Sequence, residues 1–185
     1  EIKWQAYWLK EKINAFDQNS PKPIFSVDTP PPTVSGHMHL GHAFSYSQCD
    51  FIVRYKRMKG FNVFYPFGFD DNGLATERYV EKKMGIKGND MERPKFIELC
   101  LKETSELEQN MLESWQRCGM ACDWDWTYRT IDQNSIRTSQ TSFVELYEMD
   151  RAYRKESPTI WCPTCHTAIA QMELNDTVVG NVCAH

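Results

Sequence analysis

The chain has 185 residues and a formal net charge of −4, with 25 acidic against 21 basic side chains. That length buries one good core with at most a small appendage, and 41% hydrophobic with 25% charged residues is the make-up of a soluble globular protein. No apolar run is long enough to span a bilayer, Glu1-Ile2-Lys3-Trp4 opens no signal segment, and the acidic balance excludes a nucleic-acid coat while permitting local contact with an RNA end.

Along residues 1–16, Trp4, Trp8, Leu9 and Ile13 fall near one face of a helix, with Phe16 at its end. A polar, proline-bearing stretch over 17–23 breaks it. Residues 24–27 read as a short buried strand, residues 43–58 as a helix with Phe44, Phe51, Ile52 and Tyr55 at helical spacing, and residues 61–65 as a second strand. Strand, helix, strand implies a parallel sheet, so the expected class is α/β. A loop, residues 68–73, is expected at the carboxyl end of the second strand, followed by a helix over 74–84 that stops at Gly85. A long helix over 94–118 carries Ile97, Leu101, Leu107, Met111 and Trp115, then comes an aromatic turn at 123–126 and a helix over 133–150. From Ala152 onward the chain turns β-prone and holds a Cys-x-x-Cys pair. The expected division is a helical extension over 1–23, a nucleotide-fold domain over 24–155 and a tail over 156–185.

Seven cysteines at irregular spacing do not form a secreted disulfide framework. They point to a reducing compartment, hence the cytoplasm, with most thiols buried as small apolar residues.

Chemistry concentrates in Gly36-His37-Met38-His39-Leu40-Gly41-His42, between the first strand and its helix. Open parallel sheets bind ligands at the carboxyl ends of their strands, where glycines admit backbone and a helix N-terminus favours phosphate. His39 and His42, three apart, share a face once the helix begins, and imidazole donors there suit charge developing on a phosphoryl group. A metal site is the rival reading: His37-x-His39-x-x-His42 is similar to the zinc motif of metallo-β-lactamase-type hydrolases. That motif needs a carboxylate at the position held by Gly41.

The segment Pro30-Pro31-Pro32-Thr33-Val34-Ser35-Gly36-His37-Met38-His39-Leu40-Gly41-His42 resembles the signature of class I aminoacyl-tRNA synthetases, and Phe69-Asp70-Asp71-Asn72-Gly73-Leu74-Ala75-Thr76-Glu77 resembles the second loop of their valyl branch. Isoleucyl enzymes typically carry Trp-Asp-Cys-His-Gly at that loop and leucyl enzymes Trp-Asp-Ala-Phe-Gly. The likeness runs from Trp4 to about Asp176, with Phe69, Ala75 and Leu40 as mild departures. It implies a Rossmann-like (HUP-type) parallel sheet flanked by helices, the first half of a synthetase catalytic domain. It further implies ligation of valine to its tRNA through valyl-adenylate, with ATP and Mg2+, in a monomeric parent protein. On that likeness His39 and His42 are the catalytic and ATP-binding pair, Gly41 leaves room for the adenine, Asp70 grips the valine ammonium beside Asn72, and one of Pro30, Pro31 and Pro32 excludes isoleucine. Threonine, nearly isosteric with valine, is rejected by such a pocket only ~100-fold, which implies a separate editing domain in the parent.

Trp161-Cys162-Pro163-Thr164-Cys165-His166 resembles one knuckle of a structural zinc site, which needs four ligands. Cys183 and His185 would complete it locally; in the family the partner cysteines follow the editing insertion. A pair of reduced thiols on a β-turn is the plain alternative. No Lys-Met-Ser-Lys-Ser-like string occurs, so the chain is expected to be the amino-terminal part of a longer catalytic domain, weak in ATP binding by itself. Other readings are an isoleucyl or leucyl synthetase, a nucleotidyltransferase sharing the His-x-Gly-His loop, and a decayed synthetase-like module that binds RNA or protein.

Overall fold

The strand–helix–strand unit around the histidine loop forms: β1 (Ile24–Ser26) and β2 (Asn62–Phe64) pair in parallel, Phe25 opposite Val63, with helix α2 (Leu40–Met58) between them in sequence. The structure is a computed structural model that describes residues 1–164 and 166–171. Two compact units appear, residues 1–141 and 142–185. The first carries α1 (Ile2–Lys10), the sheet, α2, α3 (Leu74–Met84), α4 (Arg93–Arg117) and most of α5 (Gln133–Glu148). The second holds the end of α5 and an antiparallel hairpin of β5 (Trp161–Cys162) and β6 (Thr167–Ala168).

The strand expected to end at Tyr65 goes further. After Pro66 it resumes as β3 (Phe67–Phe69), which pairs in parallel with β4 (Thr127–Arg129), so the loop proper is only Asp70 to Gly73. Alternation of backbone partners shows a single central strand. Asn62 N–H donates to Pro23 at 3.0 Å, Phe64 C=O accepts from Val27 at 2.9 Å, and Asp70 N–H donates to Pro32 at 2.9 Å. On the opposite edge Tyr65 C=O accepts from Asp123 at 2.9 Å and Phe69 C=O accepts from Thr130 at 3.0 Å. Pro66 and Gly68 look like breakers in sequence. Pro66 lacks an N–H and interrupts the ladder, whereas Gly68 marks a close approach by a neighbour.

Packing on α4 follows the periodicity in part. Leu107, Met111 and Trp115 are buried, while Ile97 and Leu101 remain 45% exposed. Phe67 centres the core, with ring centroids 5.5 Å from Trp115 and 5.3 Å from Trp124. On α2 the apolar spacing misleads. Phe44, Phe51, Ile52 and Tyr55 are exposed, and Asp50 and Val53 are the buried residues. The inward face is charged because it clamps a turn: Asp50 Oδ1 accepts from Ala121 N–H at 2.7 Å, and Arg57 Nη1 donates to Ala121 C=O at 2.6 Å. Arg54 donates to Gly119 C=O and, at 2.6 Å, to Asp50. The buried Ala121 N–H and C=O and the Gly119 C=O are thereby satisfied by side chains, which outweighs burial of the aromatic stripe.

Helix α1 ends at Lys10, short of Phe16, and buries no residue. Lys12 takes a left-handed conformation (φ 47°), and the chain turns so that Phe16 meets Phe64, centroids 5.1 Å apart. Most thiols are not buried as expected: among the described cysteines only Cys122 is buried, Cys49, Cys100 and Cys162 are intermediate, and Cys118 is exposed. Burial, then the Asp50 charge, pushes the Cys122 thiol far up, so it is inert filling. No helix among the described residues is long and apolar enough to cross a membrane.

Candidate active site

The two glycine-marked loops meet through backbone. Thr33 bridges to Asp70 in parallel, and Val34 N–H donates to Asp70 C=O at 2.8 Å. Thr76, near the start of α3, donates its hydroxyl to Val34 C=O at 3.1 Å. The proline lead and the Asp-Asp-Asn-Gly turn are therefore held in one register before any ligand arrives.

An open cleft lies above the ends of these strands, lined by Pro31, Asp70, Asn72, Tyr128, Thr130 and the first turns of α5. Of the three prolines only Pro31 is a cleft wall; Pro32 is buried, and Pro30 lends its carbonyl to the Tyr46 hydroxyl. Asp70 is held by its own turn: Oδ1 accepts from Asn72 N–H at 3.2 Å and from the Thr130 hydroxyl at 3.2 Å. A carboxylate fixed in this way at the wall of an open cleft is suited to gripping an ammonium group.

The histidines behave as a pair. His39 is the N-cap of α2, its Nδ1 accepting from His42 N–H at 3.3 Å, and the two rings stack at 3.7 Å and 15°. Because Nδ1 accepts, the neutral ring carries its proton on Nε2, available as an outward donor. A β-carbon at Gly41 would sit 3.1 Å from the His39 ring, so this glycine makes space first for the cap. Burial, then the His39 charge, lowers the His42 pKa and keeps that ring neutral near pH 7; its Nδ1 is buried without a hydrogen-bond partner. The start of α2, with its free N–H groups, suits an anion beside this ring pair. His37 is exposed, and among the described residues no three His, Cys, Asp or Glu cluster as metal ligands. The zinc reading of the histidine loop has no support in that arrangement.

Of the residues expected in the site, Pro31, Asp70 and Asn72 line the cleft, whereas His39, Gly41 and His42 lie at the start of α2 and are not among its lining. Sequence reading missed the far wall, Tyr128 and Thr130 on and after β4, because three-residue strands have no period to read. One signal was present: a lone glycine between phenylalanines, Phe67-Gly68-Phe69, announces a neighbour packed against backbone.

In the tail, Cys162 lies on β5, and a tight turn follows in which its C=O accepts from His166 N–H at 2.9 Å. Cys165, Cys183 and His185 lie outside the described residues.

Comparison with known proteins agrees with this geometry. Residues 3–180 match the family tRNA synthetases class I (I, L, M and V). The chain is 50% identical over 179 residues to the valine–tRNA ligase of Thermoplasma volcanium, covering 97% of this chain and 23% of that protein. It is 44% identical to that of Haloarcula marismortui, covering 95% of this chain and 19% of the other. The chain thus spans about a fifth of the length of the curated relatives it matches. Among solved structures, the ternary complex of an Agrobacterium radiobacter LeuRS with tRNA and LeuAMS superposes with a TM-score of 0.74 at 28% identity, over 93% of this chain and 20% of that one. With the two signature loops joined in register at the ends of a parallel sheet, the chain belongs to the class I tRNA synthetases.

Proposed function

We propose that this chain is the amino-terminal part of the catalytic domain of a valine–tRNA ligase and carries its valine site and half of its ATP site. The reaction joins a valine carboxylate oxygen to the α-phosphorus of ATP and breaks the α–β phosphoanhydride bond, giving valyl-adenylate and pyrophosphate; tRNA-Val then accepts the valyl group. The attacking carboxylate is already a nucleophile, so no general base is needed and catalysis rests on positioning and charge stabilisation. Asp70 holds the valine ammonium, Asn72 flanks it, Pro31 is the rigid wall against the larger side chain of isoleucine, and His39 and His42 donate to the phosphates. Mg2+ bound with ATP would screen the charge of its phosphates.

The observation that carries this reading is the fixed Asp70 carboxylate lining one cleft with Pro31, in register with the segment that leads to the stacked histidines. The reading extends to a Rossmann-like first half over 24–155, a helical extension over 1–23 and a zinc-knuckle tail over 156–185, in a monomeric cytoplasmic parent. The Cys162 turn fits one arm of a knuckle, for which Cys165, Cys183 and His185 are the further candidate ligands from the sequence; zinc bound there would tie the tail together.

The test is amino-acid-dependent ATP–pyrophosphate exchange in the full-length protein, with valine, isoleucine and leucine compared. Valine is expected to support exchange at least about 100-fold better in kcat/KM than isoleucine, and Asp70→Ala to abolish it. Equal use of isoleucine or leucine would overturn the valyl assignment.

A further inference from the structure

Asp71, the neighbour of Asp70, has a side chain that is 0% exposed. Its charged surroundings come from two other elements. Arg129 on β4 brings Nε to 3.5 Å from Asp71 Oδ2, and Glu108 on α4 has Oε1 2.6 Å from Arg129 Nη2. With Asp71 fully buried and Glu108 12% exposed, two carboxylates sharing one partly exposed guanidinium are costly to keep both ionised. Neither Asp71 oxygen meets a hydroxyl or N–H at hydrogen-bonding geometry, so a proton on Glu108 is the donor open to this pair. In accord with that, burial and then Asp71 push the Glu108 carboxyl up to about 8, against the pull of Arg129. Asp132 is the other charge nearby, and it is engaged with the N–H groups of Arg129 and Ser135 at 3.1 and 2.7 Å. The helix residues closest to Glu108 in its hollow, Ser105, Gln109 and Leu112, carry no charge.

The cluster is wired to the cleft. Asp71 N–H donates to Thr130 Oγ1 at 3.0 Å, and that hydroxyl donates to Asp70 Oδ1 at 3.2 Å. Anchoring Asp71 to Arg129 therefore fixes residues 70–71 against 129–130 and aims the Asp70 carboxylate. Glu108 and Arg129 line a separate hollow and do not reach the cleft themselves.

We propose that Glu108 and Arg129 are positioning residues for amino-acid binding, holding Asp71 so that Thr130 orients Asp70, and that Glu108 does so in its protonated form. The inference rests on reading Asp70 as the ammonium ligand. Loss of the Glu108 proton would set two buried carboxylates on one arginine, spread the β3 and β4 ends, and loosen Asp70 without touching the ATP half of the site.

The experiment is valine-dependent exchange in the full-length protein across about pH 6.5–9, alongside 13C NMR titration of the Glu108 carboxyl. Wild type is expected to show a KM for valine that rises about 5-fold toward the alkaline end, beyond the titration of valine itself, with kcat and the KM for ATP steady. Glu108→Gln, neutral at every pH, should match wild type at neutrality and remove that rise. Arg129→Met should raise the valine KM about 10-fold at every pH, with the KM for ATP unmoved. The NMR midpoint, read without substrate, should lie near 8 and fall in Asp71→Asn. A Glu108 carboxyl titrating in the ordinary glutamate range, or a Glu108→Gln profile identical to wild type, overturns the proposal while leaving the valyl reading intact. Exchange that is indifferent to valine and to Asp70→Ala overturns both.

Discussion

Tyr128 occupies the space that a side chain at position 68 would need: a β-carbon on Gly68 would stand 2.2 Å from Tyr128 Cζ and 2.6 Å from its hydroxyl. The strands carrying the two residues are paired directly, Gly68 opposite Tyr128. Glycine in β3 thus lets an aromatic ring from β4 lie across the backbone at the cleft. Burial, then Asp28, raises the Tyr128 hydroxyl's pKa, so the ring offers a neutral O–H at any physiological pH.

Gly68→Ala is therefore expected to expel Tyr128 from its seat. Overpacking of this kind costs about 1–3 kcal/mol, and the displaced ring would protrude into the space beside Asp70 and Pro31. Urea unfolding should show the loss in stability, and valine binding should weaken more than ATP binding. The double change Gly68→Ala with Tyr128→Ala restores the space and should recover most of the stability. A single variant as stable as wild type would contradict the packing described.

Asp50 makes the second prediction. Its carboxylate accepts from the buried Ala121 N–H and from Arg54, and so joins α2 to the turn after α4. Asp50→Ala leaves the amide without a partner, a loss of about 2 kcal/mol with Arg54 free to rehydrate. Phe51→Ala on the exposed stripe of the same helix should cost far less when measured in the same urea titration. A reversed order would mean that the aromatic stripe, and not the carboxylate, is the packed face.

That contrast shows where sequence patterns stop carrying structure. α3, α4 and α5 were legible to within a residue or two because their capping and punctuation are local: Gly85 and Gly119 end two of them, and Pro94 opens α4. The orientation of α2 was not, since periodicity counts apolar side chains and cannot see that a turn seventy positions away needs its amides satisfied. The two glycine-marked loops were legible as motifs because glycine, proline and histidine at fixed spacing are rare together. Tyr128, Thr130, Arg129 and Glu108 were invisible, since each gains its role only when β4 pairs with β3 and α4 lies beside them.

Titration of Glu108 carries a stability signature of its own. In the unfolded chain the group ionises near its ordinary 4.5, whereas in the fold it holds its proton up to about 8. Below the lower value both states are protonated and the group has no effect. Between the two the folded state carries a proton that the unfolded state has lost, so stability falls as pH rises and levels off above about 8. Glu108→Gln cannot ionise and should lack this fall: equal to wild type in Tm at about pH 4, more stable at about pH 8.5. An unchanged slope between those limits would show that Glu108 is ionised in the fold.

His39 has two separable duties, and a pair of substitutions tells them apart. As N-cap it satisfies His42 N–H through Nδ1, and as a donor it offers Nε2–H outward. Asparagine is a good N-cap but has no atom where Nε2 stands, so His39→Asn should keep the stability of α2 and lose exchange activity. His39→Ala should lose both, with about 1 kcal/mol of stability gone along with the cap. The stacked partner supplies the control. Burial holds the His42 pKa below the ordinary 6.5, so its stabilising share is present above that value and fades as pH falls beneath it. His42→Asn should remove that acid-side loss while leaving the His39 cap in place, because the cap engages only the backbone of residue 42. If His39→Asn kept full exchange activity, the outward imidazole N–H would have no part in phosphate binding, and the role of the loop would reduce to starting the helix.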